Sequence, residues 1–186
     1  MKKIQLIFAL SMAFFSNVLF AHNIQVNNHL PPVAVQKDGE IKVDGDKVQY
    51  KGWNSAQLAG KVRIVHHFAG RTAAKEKNDA FIQAIKQASF DRNKYQTTSI
   101  INADDAVIGT GIFVKSSAEK GKKENPHSQV ILDQQSEVKN AWQLREKESA
   151  VIVLDKTGKV QFVSEGKLSP QHINEVIDLV GKLISQ

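Results

Sequence analysis

The chain has 186 residues, a formal charge of +6 and no cysteine. That length suits one domain with a genuine hydrophobic core, and the lack of thiols excludes disulfides, thiolate metal sites and thiolate catalysis. Basic residues are interleaved with acidic ones, as in Lys75-Glu76-Lys77 and Arg145-Glu146-Lys147-Glu148, a pattern that serves solubility and lacks the clustered cations of a nucleic-acid surface.

Lys2 and Lys3 precede an apolar run over residues 4–20 that is interrupted by Gln5, Ser11, Ser16 and Asn17. A membrane span needs about 20 mostly apolar residues, so the run reads as an export signal, with Leu19 and Ala21 offering a cleavage site. Residues 1–21 are expected to be removed after Ala21. The mature protein, residues 22–186, is then expected to be a single exported domain without stable membrane insertion. An uncleaved anchor is the alternative.

Beyond Pro31 and Pro32, residues 40–50 predict two short strands around Asp44-Gly45-Asp46, a hairpin turn sequence. Residues 61–68 carry Val62, Ile64 and Val65 and suit a buried strand. From Thr72 to Ala88 the period changes: Phe81, Ile82, Ile85 and Ala88 recur at helical spacing, which predicts one amphipathic helix. A strand over residues 96–102 follows, ending at Asp104-Asp105, then a polar helix over residues 116–125 stopped by Pro126. Residues 129–132 predict a strand with a turn after Asp133, and residues 150–154 and 160–163 an antiparallel pair around Asp155-Lys156-Thr157-Gly158. Ser169 and Pro170 can open a last helix whose face is Ile173, Val176, Ile177, Val180 and Ile184. An early βαβ unit followed by a terminal ββα unit calls for a mixed sheet with helices on both faces.

This order resembles the thioredoxin fold, and local strings carry the likeness further. Leu58-Ala59-Gly60-Lys61-Val62 through His66-His67-Phe68-Ala69 resembles the strand that leads into the active site of thiol oxidoreductases and peroxiredoxins, and Val151-Ile152-Val153-Leu154-Asp155-Lys156-Thr157-Gly158 resembles their second hairpin. More narrowly, Trp53-Asn54-Ser55-Ala56-Gln57-Leu58, Phe68-Ala69-Gly70-Arg71-Thr72-Ala73-Ala74-Lys75, Tyr95-Gln96-Thr97-Thr98 and Ala141-Trp142-Gln143-Leu144 are similar to the YtfJ family of bacterial periplasmic proteins, over nearly the whole mature chain. The resemblance implies an α/β, thioredoxin-like mixed sheet with an N-terminal β-hairpin extension. It carries no activity with it. The wider superfamily places reactive cysteines in the register of Thr72 and Lys75, so this chain keeps a peroxiredoxin-like threonine and sets an ammonium where sulfur would stand. The superfamily's cis-proline is also missing; Ser149 and Ala150 occupy that region, and an ordinary trans bond is expected because a non-proline cis bond costs about 2.5–4 kcal/mol.

Several candidate sites follow. At the start of the predicted helix, Arg71, Thr72 and Lys75 could converge with free backbone amides on an anion; alternatively Thr72 caps the helix while Arg71 and Lys75 pair with Asp104, Asp105 or water. Lys75 as a Schiff-base nucleophile would have to be buried and deprotonated. His66 and His67, adjacent in a strand, face opposite sides and cannot easily chelate one ion. His22 would combine a free α-amine with its imidazole after cleavage and could clasp copper with His29. Asp104 and Asp105 lie at the sheet edge where α/β proteins bind ligands. The expectation is a binding or accessory module without cofactor, contacting a periplasmic protein, a peptide or a small anion through Arg71, Thr72 and Lys75, and neither a thiol oxidoreductase nor a thiol peroxidase. The alternative is a non-thiol enzyme using Lys75, His67 or Asp104 in one cleft.

Overall fold

The computed structural model describes residues 22–186; the export signal and its cleavage after Ala21 fall outside the described residues. Seven strands form one sheet in the order β2-β1-β5-β4-β3-β6-β7. They are β1 (Ala34–Asp44), β2 (Lys47–Asn54), β3 (Val62–Ala69), β4 (Tyr95–Asn102), β5 (Gln129–Asp133), β6 (Ser149–Leu154) and β7 (Val160–Glu165). β3 runs parallel to β4, and β4 to β5, while β6 is antiparallel to β3 and β7 antiparallel to β6. β3 lies inside the sheet and every one of its residues is buried, which is why Val62, Ile64, Val65 and Phe68 contribute to both faces, with Arg63, His66 and His67 buried among them.

Among the described residues five α-helices cover the sheet: α1 (Thr72–Glu76), α2 (Asp79–Ala88), α3 (Gly111–Glu124), α4 (Glu137–Trp142) and α5 (Pro170–Ser185). On one face Val62, Ile64, Val151 and Val153 pack with Phe81, Ile85, Val176 and Val180 of α2 and α5. The same face continues through Phe68, Val130 and Leu132 to Ala118 of α3. On the other face Val65, Ile100, Ile131 and Ile152 meet Val138 and Trp142 of α4, with Trp53 and Leu30 from the N-terminal part. The mixed sheet with helices on both faces and an N-terminal hairpin is thus the architecture that the resemblance implied. α5 opens as expected: Ser169 accepts the His172 amide at 3.2 Å and Pro170 fills the first turn.

Besides β1 and β2, which extend to Ala34 and Asn54 beyond the expected residues 40–50, three helical elements differ from the sequence reading. The single helix expected over residues 72–88 is broken at Lys77-Asn78. Asn78 is buried, donates to Ser149 Oγ (3.0 Å) and the Gly166 carbonyl (2.9 Å), and accepts the Leu168 amide (2.9 Å). Those long-range bonds fix the backbone there. A second difference is α4, expected as a turn; the buried Asp133 carboxylate accepts the amides of Gln135, Glu137 and Val138 at 3.1, 3.1 and 2.8 Å, satisfying the donors that a helix start leaves open. Finally, α3 begins at Gly111, five residues before the expected start at residue 116.

Candidate functional site

The parallel strands β3, β4 and β5 end at one edge, where the segments after Ala69, Asn102 and Asp133 meet the approach to β6. Backbone bonds lace these segments together: the Gly70 amide donates to the Asn102 carbonyl (2.8 Å), Ala69 to Glu148 (3.0 Å) and Ala103 to Asp133 (2.7 Å). A Cβ on Gly70 would lie 3.0 Å from the Asn102 carbonyl oxygen and 3.3 Å from the Ala106 Cβ, so glycine there permits the close approach of the 103–106 loop.

Charged side chains reinforce this lacing. Arg71 is the residue before α1; its Nε donates to the Asp105 carbonyl at 2.9 Å and its Nη2 lies 3.4 Å from Asp105 Oδ1. Asp105 also accepts the Lys147 amide. Lys77 bonds both Glu148 oxygens at 2.7 Å. Partial burial works to raise the Glu148 pKa, but the bonds from Lys77 and the Ser149 amide outweigh it and hold the carboxyl below its ordinary range. Behind these pairs, His66 Nε2 lies 2.9 Å from Ser149 Oγ, which also receives Asn78. Burial pushes the His66 pKa down to about 4.

Against this frame the expected site divides. Arg71 is committed to Asp105, so its charge belongs to the loop. Thr72 is the first residue of α1, exposed, and does not cap it; α1 has no side-chain cap, so the amides of Thr72 and Ala73 have no intrahelical acceptor. Lys75 is exposed, with Nζ 3.4 Å from Ser117 Oγ of α3. Only Thr72 and Lys75 of the expected trio face open solvent. The carboxylates part company as well: Asp104 accepts the Ser136 hydroxyl at 2.8 Å while Asp105 holds Arg71.

The alternative catalytic trio is not assembled. His67 is buried on the α4 face of the sheet, whereas Lys75 lies with α1 on the other face. Burial first, then the charges of His66 and Lys139, push the His67 pKa down to about 3, and its Nε2 has no hydrogen-bond partner among the described residues. No peptide bond is cis among the described residues. His22 adjoins Asn23, which bonds the carbonyls of Trp142 and Ala141, and His29 pairs with Lys159 in an isolated bridge.

Sequence reasoning missed one feature of this edge. Beyond Asp105, Val107 and Ile108 are 51% and 100% exposed, and the first turn of α3 adds Ile112 and Phe113 at 82% and 74%. The available signal was four large apolar residues within seven positions, on either side of Gly109 and Gly111, with no strand or helix period to bury them.

Comparison with known proteins fixes the family. The model of the family described as "Bacterial protein of unknown function (YtfJ_HI0045)" matches residues 24–183. The chain belongs to this family. An uncharacterized protein of Haemophilus influenzae is 58% identical over 183 residues, spanning 98% of this chain and 99% of that one. The uncharacterized protein YtfJ of Escherichia coli is 47% identical over 178 residues, spanning 96% and 97%. Among solved structures, a putative protein disulfide isomerase from Bacteroides thetaiotaomicron superposes with a TM-score of 0.60 at 13% identity, covering 89% of this chain and 93% of that one. At that identity the likeness concerns the fold alone. The YtfJ-family chain described here therefore has a thioredoxin-like fold with no cysteine, and no thiol to oxidise or exchange.

Proposed function

We propose that the chain is an exported, periplasmic binding or accessory module in which the former redox junction serves as a contact for a carboxylate-bearing ligand, a peptide or a protein segment. The observation that carries this reading is Lys75, exposed in the register of the missing sulfur, beside the open amides of Thr72 and Ala73 and reaching α3 at Ser117. An ammonium at that place attracts anions and takes no part in electron transfer. Arg71 acts one step back, since its bond to Asp105 holds the loop that flanks the contact. The separation of Lys75, His67 and Asp104 onto different faces and partners removes support for the enzymatic alternative.

Two experiments test the reading. A panel of peptide and small-molecule carboxylates and phosphates is screened by ligand-observed NMR against the native protein and a Thr72→Val/Lys75→Met variant; the variant should lose at least fivefold in affinity for the ligands found, and identical profiles overturn the assignment. Cell fractionation with N-terminal sequencing should find a periplasmic protein that starts at His22, and a cytoplasmic, uncleaved protein overturns the export.

A further inference from the structure

α3 buries little apolar surface: Ala118 is buried against the sheet and Val114 partly so, while larger apolar side chains stay outside. Charged side chains flank that contact: Lys115 lies 3.2 Å from Asp38 and 4.1 Å over the Tyr50 ring, Glu119 accepts the Tyr50 hydroxyl, and Lys122 donates to the carbonyls of Pro126 and Ser128 at 2.8 and 2.6 Å. The outer side of α3 opens with Ile112 and Phe113, continued backwards by Ile108. A Cβ placed on Gly109 or Gly111 would meet no heavy atom within 4 Å, so this apolar knuckle stands clear of the fold. Single exposed apolar residues are ordinary, but a contiguous group of this kind marks an interaction surface.

The rest of the same helix face is cationic. Phe113, Ser117 and Lys120 follow one another at helical spacing, Lys123 lies one turn past Lys120, and Lys75 reaches Ser117 from α1 at 3.4 Å. Among the described residues, the acidic side chain paired on this face is Glu124, 3.8 Å from Lys120 and itself well exposed. Neutral Ser116 and Ser117 separate the apolar end from the basic end.

We propose that this face docks a protein segment that is apolar at one end and acidic at the other, lying along α3. The proposal rests on reading the chain as a binding module and supplies the chemistry of its partner. Apolar side chains would cover Ile108, Ile112 and Phe113, and carboxylates would meet Lys75, Lys120 and Lys123. The lengthwise separation favours a protein segment over a bilayer: at about 1.5 Å per residue, Lys120 and Lys123 trail Phe113 by roughly 10 and 15 Å, whereas an interfacial anchor keeps its cations level with the headgroups around the inserted side chains. A second copy laid antiparallel would set the apolar knuckle against Lys120 and Lys123, a poor match.

The test selects binders from a random displayed library of peptides about a dozen residues long on the purified full-length protein, with an Ile112→Ser/Phe113→Ser variant as counter-selection, followed by fluorescence-anisotropy titration of the enriched peptides. The expected binders segregate Leu, Ile or Phe from Asp and Glu, bind at least tenfold more weakly to Ile112→Ser/Phe113→Ser, and lose their preference for carboxylates in Lys120→Glu/Lys123→Glu. Binders without that composition, or affinities indifferent to both variants, overturn the proposal. So does knuckle-dependent binding to phosphatidylglycerol vesicles in place of peptides, or a dimer in sedimentation that the Ile112→Ser/Phe113→Ser change dissolves. If Thr72→Val/Lys75→Met abolishes carboxylate binding while the α3 variants change nothing, the docking face fails and the contact at Lys75 stands; the converse result overturns the contact and leaves the face.

Discussion

The β3–α1 junction and the 107–113 knuckle occupy the same edge of the sheet and handle their side chains in opposite ways. At the junction Arg71, Lys77, Asn78 and His66 are each bonded to a named partner within the fold. At the knuckle Ile108, Ile112 and Phe113 touch little of it. Polar residues at a strand-to-helix junction look like ligand contacts in a sequence, yet a polar group held back from solvent must find a partner, and here most find one inside the protein. Large apolar residues look like core, yet here they are the ones left over. Which residues are free for a partner is decided by what the fold has already satisfied.

The interior should reveal itself most strongly through pH. Folding lowers the pKa of His66 to about 4 and of His67 to about 3. As pH falls below the ordinary value near 6.5, the unfolded chain takes up protons before the native one does. The histidine contribution to stability is therefore complete above about pH 6.5 and declines as pH drops towards the folded values. A loss of about 3 kcal/mol from His66 alone is expected by pH 4, with a larger one from His67. Urea unfolding across pH 4–7.5 measures it; His66→Gln, which keeps a donor for Ser149, should flatten the dependence, and an unchanged slope would show that other groups carry it. Next in size is Asn78→Ala, which leaves the Gly166 carbonyl and the Leu168 amide without their partner. The expected loss is about 3 kcal/mol in denaturant unfolding at pH 7.5; less than about 1 kcal/mol would mean that the break between α1 and α2 has another cause.

The contrast also explains what could be read from the chain beforehand. The succession of elements along the chain, the two hairpins and the capped α5 were legible because their signals are local: alternation, turn sequences at Asp44-Gly45 and Asp155-Lys156-Thr157-Gly158, and Ser169-Pro170 before a periodic face. The burial of His66 and His67 on opposite faces followed from strand geometry alone. The break at Asn78 was not legible, because its cause lies about ninety residues away at Gly166 and Leu168. The pairing of Arg71 with Asp104 or Asp105 was open as an alternative in the sequence, but which of the two takes it was not legible there, since only the fold turns one towards Ser136 and the other towards Arg71. The early start of α3 was hidden by Ile112 and Phe113 themselves, whose outward placement defeats the helical hydrophobic pattern that would have announced it.

A smaller effect separates the held charge from the open one. Arg71 and Asp105 are partly exposed, at 28% and 11% of their side-chain areas, so solvent screening limits their pair to about 1 kcal/mol. Asp105→Asn should cost that much in stability, and less in high salt. It should also free Arg71 and tighten binding of small carboxylates two- to fivefold by titration; no gain would mean that the guanidinium stays turned into the loop even without its counter-charge.

The smallest stability change is expected where the largest binding change is. Ile112→Ser/Phe113→Ser removes two large apolar side chains, and in a core that would cost several kcal/mol. At 82% and 74% exposure these side chains gain almost nothing from the folded monomer, so unfolding free energy should shift by less than about 0.5 kcal/mol, while solubility rises because an exposed apolar group is lost. A drop in stability of core size would mean that Ile112 and Phe113 are covered in the native protein. The knuckle would then belong with the junction as a region the fold has already satisfied, and the contrast between the two would disappear.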